Sequence, residues 1–157
     1  VGSFDGLSNL KYLRLQNTNL SLMYEGSFRG LNLQYLDLTI NNFRNFEILT
    51  TAVTQIYTLQ NLYIEGCDRC TFDQSWKKLK NLTFLDLSGY SPNHNSYRDC
   101  HITRLDLDTF INVPYLRNLS LSDCGIEDIE PGTFAHLTYL EYLDISQNSR
   151  LNFTGAA

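Results

Sequence analysis

The chain of 157 residues has 12 basic and 17 acidic residues, and its net charge of −5 argues against a protein that binds phosphate backbones over a wide surface. It contains neither an apolar run of about 18 residues nor an amino-terminal basic segment followed by an apolar one, so we expect no membrane contact and no signal peptide in these residues. The length suits one domain, which we place at residues 1–157.

The first predicted strand contains Leu10, Leu13 and Leu15. Side chains alternate between the two faces of a strand, and this spacing points the three leucines into the interior of a coil. One coil cannot bury such a face by itself, but stacked coils can. The pattern recurs five more times, and the first leucines of the six repeats are Leu10, Leu33, Leu59, Leu82, Leu116 and Leu140.

The ninth position of each repeat carries a small polar residue or a cysteine. We expect this residue to turn inward, where its polar atoms satisfy backbone groups of adjacent coils. The residues that fit this position are Thr18, Asn41, Cys67, Cys100, Cys124 and Asn148.

The segments between the strands predict the back of the coils. The 26-residue step from the second to the third repeat contains Phe46, Leu49, Val53 and Ile56 at helical spacing, which predicts two to three helical turns near residues 46–57. Large aromatic residues recur in these back segments and predict a stacked spine behind the leucine column. They are Phe4, Phe28, Trp76, Phe110 and Phe134.

The fourth repeat is interrupted after Leu87 by residues 88–99, which are rich in glycine, proline, asparagine and serine. A run of this composition without apolar periodicity predicts a loop. We therefore expect an insert at 88–99 that protrudes from the surface of the coils.

The motif L-x-x-L-x-L-x-x-[N/C]-x-L is the leucine-rich repeat signature, and the chain resembles the leucine-rich repeat ectodomain of a Toll-like receptor. The back segment at residues 129–137 and the uneven strand intervals of 23, 26, 23, 34 and 24 residues carry this resemblance. Variable lymphocyte receptors, neuronal adhesion proteins and small proteoglycans use similar extracellular repeats. The uneven lengths favour the receptor.

The resemblance implies an α/β solenoid, a curved array with a parallel concave sheet and an irregular or short-helical convex side. About six repeats without terminal caps would form an interior fragment of a longer ectodomain. It also implies an extracellular or endosomal location as part of a single-pass membrane receptor. The implied function is ligand recognition in innate immunity, acting by ligand binding and by homo- or heterodimerisation through a lateral face.

An alternative function is that of an extracellular adhesion or matrix protein without a signalling role. Catalysis fits poorly, because His94, His101 and His136 have no serine or cysteine at an informative spacing. We therefore expect no enzyme activity and no cofactor.

Two groups of residues are candidates for ligand binding. The insert supplies aromatic rings and hydrogen-bond donors, although an insertion can also be merely tolerated. Outward-facing strand residues supply further aromatic rings, which also pair across strands without any ligand. The ligand could be microbial or endogenous, and nucleic acid is not favoured but not excluded. The candidates are Tyr90, His94, Tyr97 and Arg98 in the insert and Tyr35, Tyr63 and Phe84 on the strands.

Four sequons and four cysteines complete the set of candidate sites. The sequons begin at Asn19, Asn81, Asn118 and Asn152 and favour a glycosylated secretory chain. Ninth-position cysteines can be buried thiols, whereas Cys67, Cys70 and Cys100 are also candidates for a disulfide. One C-x-x-C pair with Cys100 and His101 is a weak zinc signal, so we predict no metal site.

Overall fold

Six short parallel strands form one sheet in the computed structural model, which describes residues 2–41, 43, 46–64, 72–89 and 102–152. Two further strands form a second parallel sheet, β5 with β7, and the order of the main sheet is β1-β2-β3-β4-β6-β8. The eight strands are β1 (Tyr12–Arg14), β2 (Tyr35–Asp37), β3 (Asn61–Tyr63), β4 (Phe84–Asp86), β5 (Arg104–Leu105), β6 (Asn118–Ser120), β7 (Asp128–Ile129) and β8 (Tyr142–Asp144).

The main sheet confirms the predicted solenoid and its register. The leucine at the centre of each strand is paired with the leucine at the centre of the next, as Leu62 is with Leu85. Because every strand carries its leucine at the same motif position, the stacked coils bury a continuous column of side chains. Leu119 in β6 is fully buried, whereas Leu143 in β8 is 36% exposed. The core is therefore a column whose burial depends on the neighbouring coil.

The inward-turning asparagines are confirmed as links between coils. Asn148 Oδ1 accepts the backbone N–H groups of Cys124 and Ile126 at 3.0 and 2.9 Å, while its amide donates to carbonyls of both coils, including that of Leu121 at 2.9 Å. Asn41 bridges the first two coils in the same way, because it accepts from Leu20 N at 3.0 Å. Each ninth-position amide thus satisfies backbone groups that the turn would otherwise leave unpaired.

One helix lies on the convex side, α1 (Phe46–Val53), and it covers most of the predicted 46–57 segment. The segment tightens after the helix, since Ile56 N bonds to Val53 O at 2.9 Å in a three-residue turn. A short 3₁₀ helix at Gln74–Lys78 begins at Asp73, whose carboxylate accepts Ser75 N at 2.9 Å. The second sheet was not predicted, because its two-residue strands are too short to show any periodicity.

The aromatic spine is confirmed and contains two rings beyond the five predicted. Phe4 stacks on Phe28 at 6.3 Å between ring centroids, and Phe110 stacks on Phe134 at 5.7 Å. Phe72 contacts both Trp76 and Phe110, at 4.8 and 5.7 Å, and Phe46 stacks on Trp76 at 6.5 Å. Phe46 and Phe72 therefore join coils that the predicted set left apart.

The start of the insert differs from the prediction of residues 88–99. Gly89 N still bonds to Ser122 O of the next coil at 2.9 Å, and a Cβ atom at Gly89 would lie 2.1 Å from Asp123 O. Both Ser88 and Gly89 therefore pack against the following coil and extend the β4 pairing. The remainder of the insert, residues 90–99, lies outside the described residues.

Candidate functional site

A row of four aromatic rings crosses the outward face of the main sheet from β1 to β4. The centroid distances are 6.0 Å from Tyr12 to Tyr35, 5.1 Å from Tyr35 to Tyr63 and 4.8 Å from Tyr63 to Phe84. Neighbouring strands in a sheet lie about 4.8 Å apart, so each ring contacts the ring on the next strand. The structure thus brings together all three strand residues that the sequence suggested for ligand contact.

The row changes column at β3. Tyr35 and Phe84 occupy the third motif position, where β3 carries Asn61, whereas Tyr63 occupies the fifth position of β3. Tyr63 is consequently in register with Asp37 on one side and Asp86 on the other. One phenol therefore lies between two carboxylate-bearing positions.

Arg14 packs against the first part of this row. Its guanidinium lies 5.5 Å from the centroid of the Tyr35 ring, donates to the Tyr35 hydroxyl at 3.1 Å, and places Nε 3.6 Å from Asp37 Oδ2. The hydrogen bond to Tyr35 is the main reason that the pKa of Arg14 is raised, followed by the field of Tyr35 itself. The arginine therefore stays charged while its side chain remains 71% exposed.

The aspartates of the fifth position also have a structural role that we did not predict. Asp37 Oδ1 accepts Thr39 N at 3.1 Å, Asp86 Oδ1 accepts Ser88 N at 2.9 Å, and Asp144 Oδ1 accepts Ser146 N at 2.9 Å. Hydrogen bonds from Ser146 lower the pKa of Asp144. The recurring Asp-x-Ser/Thr triplets in the sequence are the signal that could have identified these turns.

Tyr63 lies in a partly desolvated environment. Burial is the main cause that raises its pKa, and the fields of Tyr35, Asp86 and Asp37 add to the shift. The phenol therefore remains a neutral hydrogen-bond donor across the physiological pH range.

These residues line a depression of about 370 Å³ on the outward face of β1 to β4. Its wall includes Arg14, Tyr35, Asp37, Tyr63, Asp86 and Gly89. A concave surface with aromatic rings and a few convergent polar groups has the general character of a binding site.

The other predicted site residues lie in different surroundings. Asn118 is on β6, in register between Phe84 and Tyr142, so a glycan there would stand on the sheet beside the aromatic row. Asn19, Asn81 and Asn152 are exposed. The candidates of the insert and of the disulfide lie outside the described residues, namely Tyr90, His94, Tyr97, Arg98, Cys67, Cys70 and Cys100. Cys124 is buried, and its Sγ donates to Leu87 O at 3.2 Å.

Two further surfaces lie away from the depression. Tyr115 and Tyr139 stack at 6.4 Å just before β6 and β8, and they are 43% and 53% exposed. At the second sheet, Arg104 forms ion pairs with Asp128 at 2.8 Å and with Asp106 at 2.7 Å. The hydrogen bond to Asp106 is the main cause that raises the pKa of Arg104.

Searches for a membrane span and a metal site cover only the placed part of the chain. Among residues 2–41, 43, 46–64, 72–89 and 102–152, no helix has the length and hydropathy needed to cross a bilayer. The same stretches hold no group of three or more histidine, cysteine, aspartate or glutamate side chains that could hold a metal ion.

The family model described as "Leucine rich repeat" matches residues 1–43 and 98–153, which is more than half of the chain. The chain belongs to the leucine-rich repeat family. This leucine-rich repeat chain is 32% identical over 125 residues to lumican of Mus musculus, with 78% of the chain and 33% of that protein covered. It is 33% identical over 104 residues to lumican of Oryctolagus cuniculus, with 65% and 50% covered.

The same leucine-rich repeat chain is similar in structure to TLR13 in its complex with ssRNA13. The TM-score is 0.63 at 27% identity, and the match covers 92% of this chain and 22% of TLR13. The chain thus spans a third to a half of the length of the lumicans it matches and less than a quarter of the TLR13 chain. By structure it resembles a Toll-like receptor, and by sequence it resembles lumican.

Proposed function

We propose that the chain is a ligand-recognition segment of an innate immune pattern-recognition receptor of the Toll-like type. The observation that carries this proposal is the similarity to TLR13 over 92% of the chain at 27% identity. The unequal intervals between strands, with one step of 34 residues, support the same assignment. The segment would act by binding a ligand and shifting a monomer–dimer equilibrium of the receptor.

The depression on β1 to β4 is the ligand contact we propose within the described residues. Tyr35, Tyr63 and Phe84 form rigid aromatic contacts there, and such rings often dominate binding energy because they lose little conformational freedom. The insert candidates Tyr90, His94, Tyr97 and Arg98 follow Gly89, which lines the depression. We therefore propose that strand and insert residues contact the same ligand.

For dimerisation we propose the rim that carries Tyr115 and Tyr139. Their stacked rings expose apolar surface away from the depression, so a partner chain and a ligand could be bound together. In a receptor of this type the segment would lie in the extracellular space or the endosomal lumen, within a single-pass membrane protein. The sequons at Asn19, Asn81, Asn118 and Asn152 support such a secretory location.

The alternative is an extracellular adhesion or matrix protein without a signalling role. The identity of 32% to 33% with two lumicans supports it. In that case the outward face of the sheet would bind a partner without any ligand-dependent dimerisation. The two functions therefore differ in one measurable quantity, the oligomeric state with and without ligand.

Light scattering of the glycosylated chain at neutral and mildly acidic pH tests the proposal. The probes are a bacterial lipopeptide and single-stranded RNA, the latter because TLR13 was crystallised with ssRNA13. A dimer that forms only with a probe, and that is lost in Tyr63→Ala or on deletion of residues 90–99, supports receptor recognition. Tyr24→Ala is the matched control, because Tyr24 is 57% exposed and does not line the depression.

The deletion leaves Ser88 and Gly89 in place, because both pack against the next coil. A mass that stays constant with either probe contradicts ligand-driven dimerisation and favours the alternative. Dimerisation that is equally strong in Tyr63→Ala and in the deletion variant would overturn the proposed contact surface.

A further inference from the structure

The sheet already shows how it binds a cation. Arg14 lies over the Tyr35 ring at 5.5 Å and approaches Asp37 Oδ2 at 3.6 Å, so one guanidinium contacts an aromatic ring and a carboxylate of the next strand. Both contacts stabilise a positive charge, the first through the electron density of the ring and the second through ionic attraction.

The ring and the carboxylate recur two strands further on, but without the arginine. Phe84 and Asp86 occupy the same two motif positions on β4 as Tyr35 and Asp37 on β2. The position before them that corresponds to Arg14 is Tyr63 on β3, which has no positive charge. Within the placed stretches of the chain, Asp86 has Ser88 N as its hydrogen-bond donor and forms no ion pair.

The charge balance of the depression follows from this repeat. Arg14 offsets the charge of Asp37, which is 5% exposed, whereas the charge of Asp86 is not offset by any described side chain in the wall. Arg14 and Asp86 lie three strands apart, about 14 Å at the usual strand spacing. Because this separation exceeds the screening length of about 8 Å in physiological salt, the arginine has little effect at Asp86.

We propose that the Tyr63–Asp86 end of the depression binds an arginine side chain of a polypeptide ligand. This inference rests on the proposed function, because it takes the outward face of the sheet as the recognition surface. The guanidinium would contact the carboxylate of Asp86 and the Tyr63 ring, as Arg14 contacts Asp37 and Tyr35. An anionic ligand is disfavoured at this end, since a phosphate there would meet Asp86 and the phenol that lies between two aspartates.

Calorimetric titration of the chain in 0.15 M salt with a capped peptide of alternating arginine and glycine tests this site. Asp86→Asn is the informative variant, because the amide retains the oxygen that accepts Ser88 N but loses the charge. We expect it to weaken binding of the peptide by about tenfold or more, since a charge-assisted contact becomes a neutral one. Asp144→Asn is the matched control, because Asp144 accepts Ser146 N in the same way but does not line the depression.

The control should bind the peptide as the wild-type chain does, and a matched glutamate–glycine peptide should not bind. Equal weakening by Asp86→Asn and Asp144→Asn would reduce the effect to general charge and overturn the site. Tighter binding of single-stranded RNA than of the arginine peptide, abolished by Arg14→Gln, would overturn the choice of ligand. The ring signals of Tyr63 in the NMR spectrum provide an independent measurement, because they must shift on peptide binding in the wild-type chain.

Failure of the proposed function would give a different result. Peptide binding that depends on Asp86, together with a constant mass in light scattering, would retain the site in an adhesion or matrix protein. Ligand-dependent dimerisation that Asp86→Asn leaves unchanged would retain the receptor and exclude the arginine site.

Discussion

At the scale of single residues, a few polar side chains determine whether the coils can stack. Asn148 is 8% exposed and satisfies two backbone N–H groups of the preceding coil, those of Cys124 and Ile126. Tyr63 and Asp86, by contrast, lie on the outward face, where the next coil needs nothing from them beyond strand pairing. The inward residues therefore govern stability, and the outward ones are available for recognition.

Replacement of Asn148 by alanine should lower the free energy of unfolding by about 3 kcal/mol. Two buried N–H groups would lose their acceptor, and each unsatisfied group costs about 1 to 3 kcal/mol. Urea denaturation followed by circular dichroism measures the change. Ser149→Ala is the control, because Ser149 is exposed in the same turn. A loss no larger than that of the control would show that water replaces the amide.

The raised pKa of Tyr63 predicts a loss of stability at high pH. In the unfolded chain the phenol ionises near pH 10, whereas in the folded chain it keeps its proton to higher pH. The contribution is therefore fully present below pH 10 and is lost as the pH rises through the folded pKa. Melting curves between pH 8 and pH 11 should show a steeper decline for the wild-type chain than for Tyr63→Phe. Parallel declines would contradict the shift.

At the scale of the elements, the convex side is stabilised by aromatic packing more than by ion pairs. Phe110 is fully buried and contacts the rings of Phe72 and Phe134. Arg104, which pairs with acidic side chains of its own and the next coil, is 55% exposed. Exposed ion pairs contribute little because solvent screens them and ordering the side chains costs entropy.

Phe110→Ala should therefore destabilise the chain by about 4 kcal/mol, in the range for a buried phenylalanine that leaves a cavity. Arg104→Gln should produce a much smaller change, and this change should shrink further in 1 M salt. Denaturant titration of both variants at low and high salt gives the comparison. If Arg104→Gln were the more damaging of the two, the second sheet would be the main support of the convex side.

The strands and their register could be predicted from the sequence, because leucine spacing reports directly which side chains face inward. The outward columns followed from the same register, so Tyr35, Tyr63 and Phe84 were identified before their rings were placed. The second sheet and the start of the insert were not predictable. Two-residue strands have no period, and only the contact of Gly89 with the next coil shows that β4 pairing continues to residue 89.

The role of Arg14 was also missed. Its position on β1 was evident from the sequence, but its contacts depend on a ring and a carboxylate on the neighbouring strand. Such a cluster is assembled across coils from residues about 20 positions apart. Spacing within one repeat contains no information about it.

At the scale of the whole molecule, the core extends along one direction, and each coil is covered only by its neighbours. Leu119 and Leu143 occupy the same motif position in β6 and β8, yet the first is fully buried and the second is 36% exposed. The value of a leucine thus depends on how many coils cover it.

In this 157-residue chain, Leu119→Ala should cost about 3 kcal/mol, and Leu143→Ala should cost less than about 2 kcal/mol. The exposed fraction of Leu143 recovers little by burial, and its removal leaves a smaller cavity. Hydrogen exchange gives a parallel measurement, since amides of β8 should exchange faster than those of β6. Equal costs for the two variants would indicate that other contacts cover Leu143 in solution.

The asparagine that closes each coil belongs to the next one, as Asn148 does for the backbone of residues 124 and 126. A coil that ends without a successor leaves those N–H groups without their amide. Changes in the length of such a chain are therefore confined to whole units. Excising the 24 residues from 117 to 140 would join Leu116 to Glu141 and return every later residue to an equivalent motif position. Removing 12 residues would break the register, so the molecule can grow or shrink only in steps of one turn.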